Sequence, residues 1–236
     1  MQTGLGNRPE GRDRRPIDPP IILQLQILDF NPNSKEHLND LKYTYWVVHC
    51  YLFNNEHPAS DVSIMDFGDS GHGGSGIRKL LIGCATVNGL FAPEDPDPET
   101  AVPHPSSRVS SMTSDIPGGE SFCKQPGTFF IFSDLSVRSP GTYRLKFMLM
   151  RIDGNLTNPG AKVPVEAEAM SNPFTVDNAK RFDKVQESTN LVRGLAKLLG
   201  APSTLKIKKG PAARERAKRR REGEEEEESD EEEGRD

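Results

Sequence analysis

From residue 143 to 147 the chain changes character at every step, and the large apolar positions keep that spacing to 149. Tyr143, Leu145, Phe147 and Leu149 alternate with Arg144, Lys146 and Met148. A period of two is that of a strand with one face in a core and the other largely in water. Just upstream lies a second apolar run, Phe129-Phe130-Ile131-Phe132, and the turn Ser139-Pro140-Gly141 separates the two. Leu23, Leu25 and Ile27 alternate with Gln24 and Gln26. Lys42 to Phe53 is aromatic and β-branched, with Trp46, Val48, Cys50 and Leu52 in one phase. Both stretches read as strands. Leu80 to Val87 predicts another, Val163 to Val176 one or two short ones, and Leu205 to Lys208 a final one.

One stretch has a different period. Leu191, Leu195, Leu198 and Leu199 share a helical face; Ser188 or Thr189 can cap its start, and Gly200 with Pro202 supplies its stop. Asn31 to Asp40 reads as a polar connection, 54–78 as a loop insertion, and 92–127 as a longer one, irregular enough to be an insertion in a domain rather than part of its frame. The Gly141-x-Tyr143-x-Leu145 run has the shape of a tyrosine corner, in which a tyrosine entering a late strand bonds back to upstream backbone. Leu145 stands where antibody sandwiches place a disulfide cysteine. The pattern therefore predicts an all-β, immunoglobulin-like β-sandwich with loop insertions and a short C-terminal helix.

Composition limits what this frame carries. The chain has 236 residues, enough for one sizeable domain with tails, and a hydrophobic fraction of 34%, low for a chain folded throughout. Its formal charge of −5 hides an asymmetry: Glu222 to Asp236 carries −10, so residues 1 to 221 carry +5, and Leu205 to Arg221 alone holds +8. A basic block beside an acidic one is an interaction tail. Cys50, Cys84 and Cys123 are widely spaced with no C-x-x-C pair, which opposes a disulfide framework or a zinc site and fits a reducing compartment. With no apolar run of membrane length and no hydrophobic signal core, the expectation is a soluble intracellular protein.

Catalytic chemistry finds no foothold. The glycines from Gly68 to Gly76 lack the Lys-Ser/Thr of a phosphate-binding loop. The five histidines show no metal-ligand spacing, and Asp134 has no G-x-S-x-G partner. The expectation is a protein that is not an enzyme and needs no cofactor or metal.

Charge organises the two ends. Arg8, Arg12, Arg14 and Arg15 precede Pro16-Ile17-Asp18-Pro19-Pro20, whose prolines stiffen the chain as it approaches the first strand. A mobile basic arm (1–15) on a rigid hinge can reach phosphates or guanine edges, and the same composition also suits a solvated terminus. At the other end Lys206, Lys208 and Lys209, a short spacer, then Lys218, Arg219, Arg220 and Arg221 resemble a bipartite nuclear localisation signal, and can equally lie along a phosphate backbone. The 210–236 tail is predicted to be disordered. Its acidic part is either solubilising or a DNA mimic, with Ser229 among acids as a kinase site.

Four blocks in order resemble the fungal velvet family: Arg14-Arg15-Pro16-Ile17-Asp18-Pro19-Pro20 with IILQLQIL; Leu81-Ile82-Gly83; FFIFSDLSVRSPGTYRLKF; and the set Asn172 to Val176, Ala179 to Phe182, Glu187 to Thr189 and Leu205 to Lys209. Leu38 to Phe53 and the insertions look most similar to the velvet-like B subgroup. The resemblance implies a Rel-like velvet domain over 16–209 and a dimeric, sequence-preferring DNA-binding regulator of fungal development and secondary metabolism. Its partners would be double-stranded DNA, other velvet-family proteins and the nuclear import machinery, with no membrane. It implies DNA contacts at Arg12, Arg14 and Arg15, joined by Lys206, Lys208 and Lys209, and a nuclear protein that can shuttle through the cytoplasm. The alternative is an adaptor that pairs with velvet proteins and does not touch DNA.

Overall fold

A computed structural model describes residues 2–3, 16–56, 60–66, 77–97, 126–153, 162–177, 186–199, 205, 207–208 and 210. The described residues form thirteen strands and two short helices with the segments that join them. The larger sheet is built on the longest strand, β11 (Gly141–Arg151). On one side it pairs antiparallel with β3 (Trp46–Asn54) over nine residues, from Tyr143 opposite Asn54 to Arg151 opposite Trp46, and β3 pairs in turn with β7 (Thr86–Asn88). On the other side β11 pairs first with β13 (Phe174–Val176), which carries β1 (Gln2–Thr3) in parallel, and then with β12 (Val165–Met170). The second sheet has three strands in the order β2 (Ile21–Gln24), β9 (Gly127–Phe132), β8 (Leu90–Ala92). Two small ribbons, β4 (Ile64–Asp66) with β5 (Ile77–Lys79) and β6 (Leu81–Ile82) with β10 (Ser136–Val137), complete the set.

The predicted alternation builds the core. Trp46, Val48, Cys50 and Leu52 of β3 and Tyr143, Leu145 and Phe147 of β11 are all buried, in one cluster with Phe130 and Phe132 of β9. The Phe132 and Phe147 rings meet at 5.5 Å, inside the range of favourable aromatic pairs. Strand β9 departs from alternation because both its faces are covered: every residue in it is buried. Its outer face, Phe129 and Ile131, packs under the helix α2 (Asn190–Leu198) through Val192, Leu195 and Ala196. Thr189 caps that helix, its side chain accepting from the Val192 amide. The leucine stripe of α2 is thus spent on the sandwich itself. The flank between β2 and β12 stays open, a cavity of about 320 Å³ with Val48, Phe130, Phe147 and Leu149 in its lining.

Four sequence expectations meet a different structure. Asn31 to Asp40 is not all connection: Ser34 caps a helix, α1 (Lys35–Lys42), whose Leu41 is buried and whose Leu41 carbonyl accepts from Thr128 Oγ1 in β9. Leu80 to Val87 is two strands, broken where Gly83 takes φ of 112°, a conformation side chains disfavour. Leu205, Ile207 and Lys208 lie outside any strand; Leu205 is buried, Ile207 is 54% exposed and Lys208 is half-buried. The tyrosine corner also takes another form. Among the described residues the Tyr143 hydroxyl has no hydrogen-bond partner; its ring packs beside Phe174 and covers Gly141 instead. The 92–127 insertion, the Gly68–Gly76 run and the acidic tail fall largely or wholly outside the described residues.

Candidate nucleic-acid interface

The residues that hold the two basic ends of the chain are themselves mostly not basic. Ile17, two positions after Arg15, is buried, and its amide donates to the Leu135 carbonyl at 2.7 Å. This bond fixes the stiff Pro-rich hinge to the loop between β9 and β10. Asp18 follows, and only 5% of its side chain is exposed. A carboxylate removed from water needs partners to be tolerated. It has two: Oδ2 accepts from the Gln186 amide at 3.0 Å, and Oδ1 accepts from Lys208 Nζ at 2.8 Å.

Lys208 is held by its backbone as well. Its amide donates to Ser188 Oγ at 2.8 Å, and its carbonyl accepts from the Ser188 amide at 3.2 Å. Ser188 is buried, and Leu205 enters the cluster under α2. The C-terminal segment is therefore laid along the approach to α2 and pinned to Asp18. Arg193 of α2 pairs with Glu187 beside it. The contact joins residues 190 positions apart, Asp18 at the hinge and Lys208 in the C-terminal segment.

Of the residues expected to meet DNA or the import machinery, only Lys208 is described, and the structure gives its ammonium to Asp18. Arg12, Arg14, Arg15, Lys206, Lys209, Lys218, Arg219, Arg220 and Arg221 lie outside the described residues. Sequence reasoning does not find Asp18, Gln186 and Ser188 as functional positions. The signal available is an aspartate between Ile17 and Pro19 in a segment too stiff and apolar to leave it in water.

Elsewhere the ionisable side chains do other work. Burial pushes the Cys50 thiol far above its ordinary range, so it stays a thiol. Burial also lowers the pKa of His49, with the Asp61 charge opposing; its Nδ1 lies 2.6 Å from Thr86 Oγ1. Arg151 lies over the Tyr43 ring at 4.4 Å and pairs with Asp40 and Asp153. Among the described residues no group of three or more His, Cys, Asp or Glu could hold a metal ion, and no helix is long and apolar enough to cross a membrane.

A Rel-like all-β sandwich whose N-terminal hinge is clasped to its C-terminal segment through Asp18 and Lys208 is the class that fold and site define. Within it the chain belongs to the velvet family, matching the family described as Velvet factor over residues 3–73 and 63–208. It is 36% identical over 222 residues to the "Sexual development regulator velC" of Emericella nidulans, covering 79% of this chain and 42% of that protein. It is also 36% identical over 200 residues to the velC of Penicillium rubens, covering 79% of this chain and 74% of that protein. A third relative, the "Spore development regulator vosA" of Beauveria bassiana, is 30% identical over 199 residues, 84% of this chain and 59% of that protein. The chain thus spans less than half of the Emericella relative and about three quarters of the Penicillium one.

Proposed function

We propose that this protein is a dimeric, sequence-preferring DNA-binding regulator of fungal development and secondary metabolism, acting in the nucleus. The observation that carries the reading is the clasp of Asp18 with Lys208, which gathers the roots of two basic segments. In this reading Arg12, Arg14 and Arg15 enter a groove and read base edges, for which the guanidinium fork is suited. Lys206 and Lys209 add phosphate contacts, which raise affinity without adding sequence information. Lys208 anchors the segment rather than reaching for DNA. Lys206, Lys209 and Lys218 to Arg221 remain for the import machinery to recognise. Because the α2 stripe is covered by β9, the partner surface in this reading is the open flank between β2 and β12, where all six β12 residues are exposed.

The names of its relatives support the regulatory part: they are named regulators of sexual development, of spore development, and of development and secondary metabolism. The test is selection of bound sequences from a random duplex pool, with wild type and with Arg12, Arg14 and Arg15 all replaced by Ala. The expected result is a motif recovered by the wild type and lost in the variant. No enrichment by the wild type, alone or mixed with a second velvet protein, would replace this reading with the adaptor.

A further inference from the structure

The hinge that holds the arm is bonded to the loop that enters β10, and a cation follows that two-residue strand. Ile17 donates to the Leu135 carbonyl at 2.7 Å, and three residues on, the Arg138 amide donates to the Leu80 carbonyl at 2.9 Å. Arg138 therefore sits beside the residue that follows Lys79, the last residue of β5. Both side chains are exposed, and no carboxylate pairs with either among the described residues. The Cα of Arg138 lies within about 10 Å of that of Leu135, the reach of three extended residues. Backbone bonds hold the neighbours of both cations: Ser136 and Val137 pair with Ile82 and Leu81, and the Ser63 carbonyl accepts from the Leu80 amide at 2.8 Å. The nearest carboxylate in sequence, Asp134, accepts from the Cys84 amide at 2.9 Å.

We infer that Arg138 and Lys79 form a phosphate-contacting patch that continues the interface of the N-terminal arm onto the body of the sandwich. This rests on the DNA-binding reading above and deepens it. A duplex engaged by Arg12 to Arg15 must pass close to the hinge, and the hinge is hydrogen-bonded to Leu135, one two-residue strand away from Arg138. Arg138 directly follows β10 and Lys79 ends β5, so paired strands hold the backbone that carries each cation. They meet phosphates rather than bases because a phosphate backbone flanks any groove the arm enters. Such contacts fix register on the duplex and are blind to sequence.

The experiment uses the full chain and a duplex carrying the selected motif. Affinity is measured across a salt series for wild type, Arg138→Ala with Lys79→Ala, and Arg138→Glu with Lys79→Glu. Each phosphate contact contributes roughly 0.9 to the slope of log affinity against log salt, so the double alanine variant should show a slope shallower by about 2. Between about 50 and about 200 mM salt its loss of affinity should then be about tenfold smaller than that of the wild type. The glutamate variant should bind more weakly still, and both should recover the wild-type motif and melt as the wild type does. Wild-type slope and affinity in the alanine variant would overturn the patch and leave the arm reading standing. A changed motif would overturn the phosphate assignment. Failure of the wild type to bind any duplex would overturn the patch together with the DNA-binding function.

Discussion

Removing one member of the Asp18–Lys208 pair should cost more than a surface ion pair would. Exposed pairs contribute about 0–1 kcal/mol, because water screens both charges. Here Asp18 is 5% exposed and the Lys208 side chain 26%, so the carboxylate left behind by Lys208→Ala has little access to water. Stranding a buried charge costs about 3–5 kcal/mol when no water can reach it. The partial exposure on the lysine side and the surviving bond from the Gln186 amide lower that figure, and about 2–3 kcal/mol is expected. Asp18→Ala should cost a similar amount, since it also leaves the Gln186 amide without its acceptor. The double variant strands no charge, so its loss should fall short of the sum by a coupling of about 1–2 kcal/mol. Urea unfolding followed by circular dichroism gives all four corners of the cycle, provided the denaturant slopes stay alike. High salt should leave most of the coupling in place, because a pair this buried is weakly screened. Additive single losses, with coupling below about 0.5 kcal/mol, would refute the reasoning and reduce the contact to a surface pair.

Gly194 places its Cα so close to the loop after β8 that an added Cβ would lie 1.7 Å from the Pro96 carbonyl oxygen. Gly194→Ala should therefore destabilise by about 1–3 kcal/mol in chemical denaturation, despite the gain of about 1 kcal/mol in helix propensity; a stabilised variant would show that the loop yields freely. Arg151→Ala removes a cation stacked on Tyr43 and Trp46 and paired with Asp40 and Asp153, an expected loss of about 1–2 kcal/mol. Trp46, the single tryptophan, should report it by a shifted emission maximum, and an unchanged spectrum with unchanged stability would refute the contact. His49 has its pKa lowered by burial, so the folded state takes up a proton less readily than the unfolded chain. Its contribution is intact above the unfolded value of about 6.5 and is lost as pH falls through the lower folded value. His49→Gln should therefore flatten the acid side of the stability profile, and parallel profiles would refute this.

How much can be read in advance depends on how many faces of an element are covered. Strands β3 and β11 each set one face in the core, so their alternation is open to reading from Trp46 to Leu52 and from Tyr143 to Leu149. Strand β9 hides both faces, which erases its period, yet four apolar residues before a turn still mark it. Helix α1 escapes because only Leu38 and Leu41 of its eight residues are apolar. Ser34, which accepts from the His37 amide, is the available sign. At the interface the runs of Arg and Lys are plain, but their anchoring is not. A charge run says nothing about which of its members turns inward, and the acid that selects Lys208 lies at the far end of the chain.

Asp18 and Lys208 are also made far apart in time. A ribosome releases the segment with Asp18 well before Lys208 exists, and through that interval the carboxylate has no ammonium to meet. Pairing of β2 with β9, and of β3 with β11, can proceed on the growing chain, since all four strands precede residue 152. The contact of Asp18 with Lys208 cannot. A polypeptide cut short before residue 208 would hold Asp18 with the Gln186 amide but without the ammonium that meets its other oxygen.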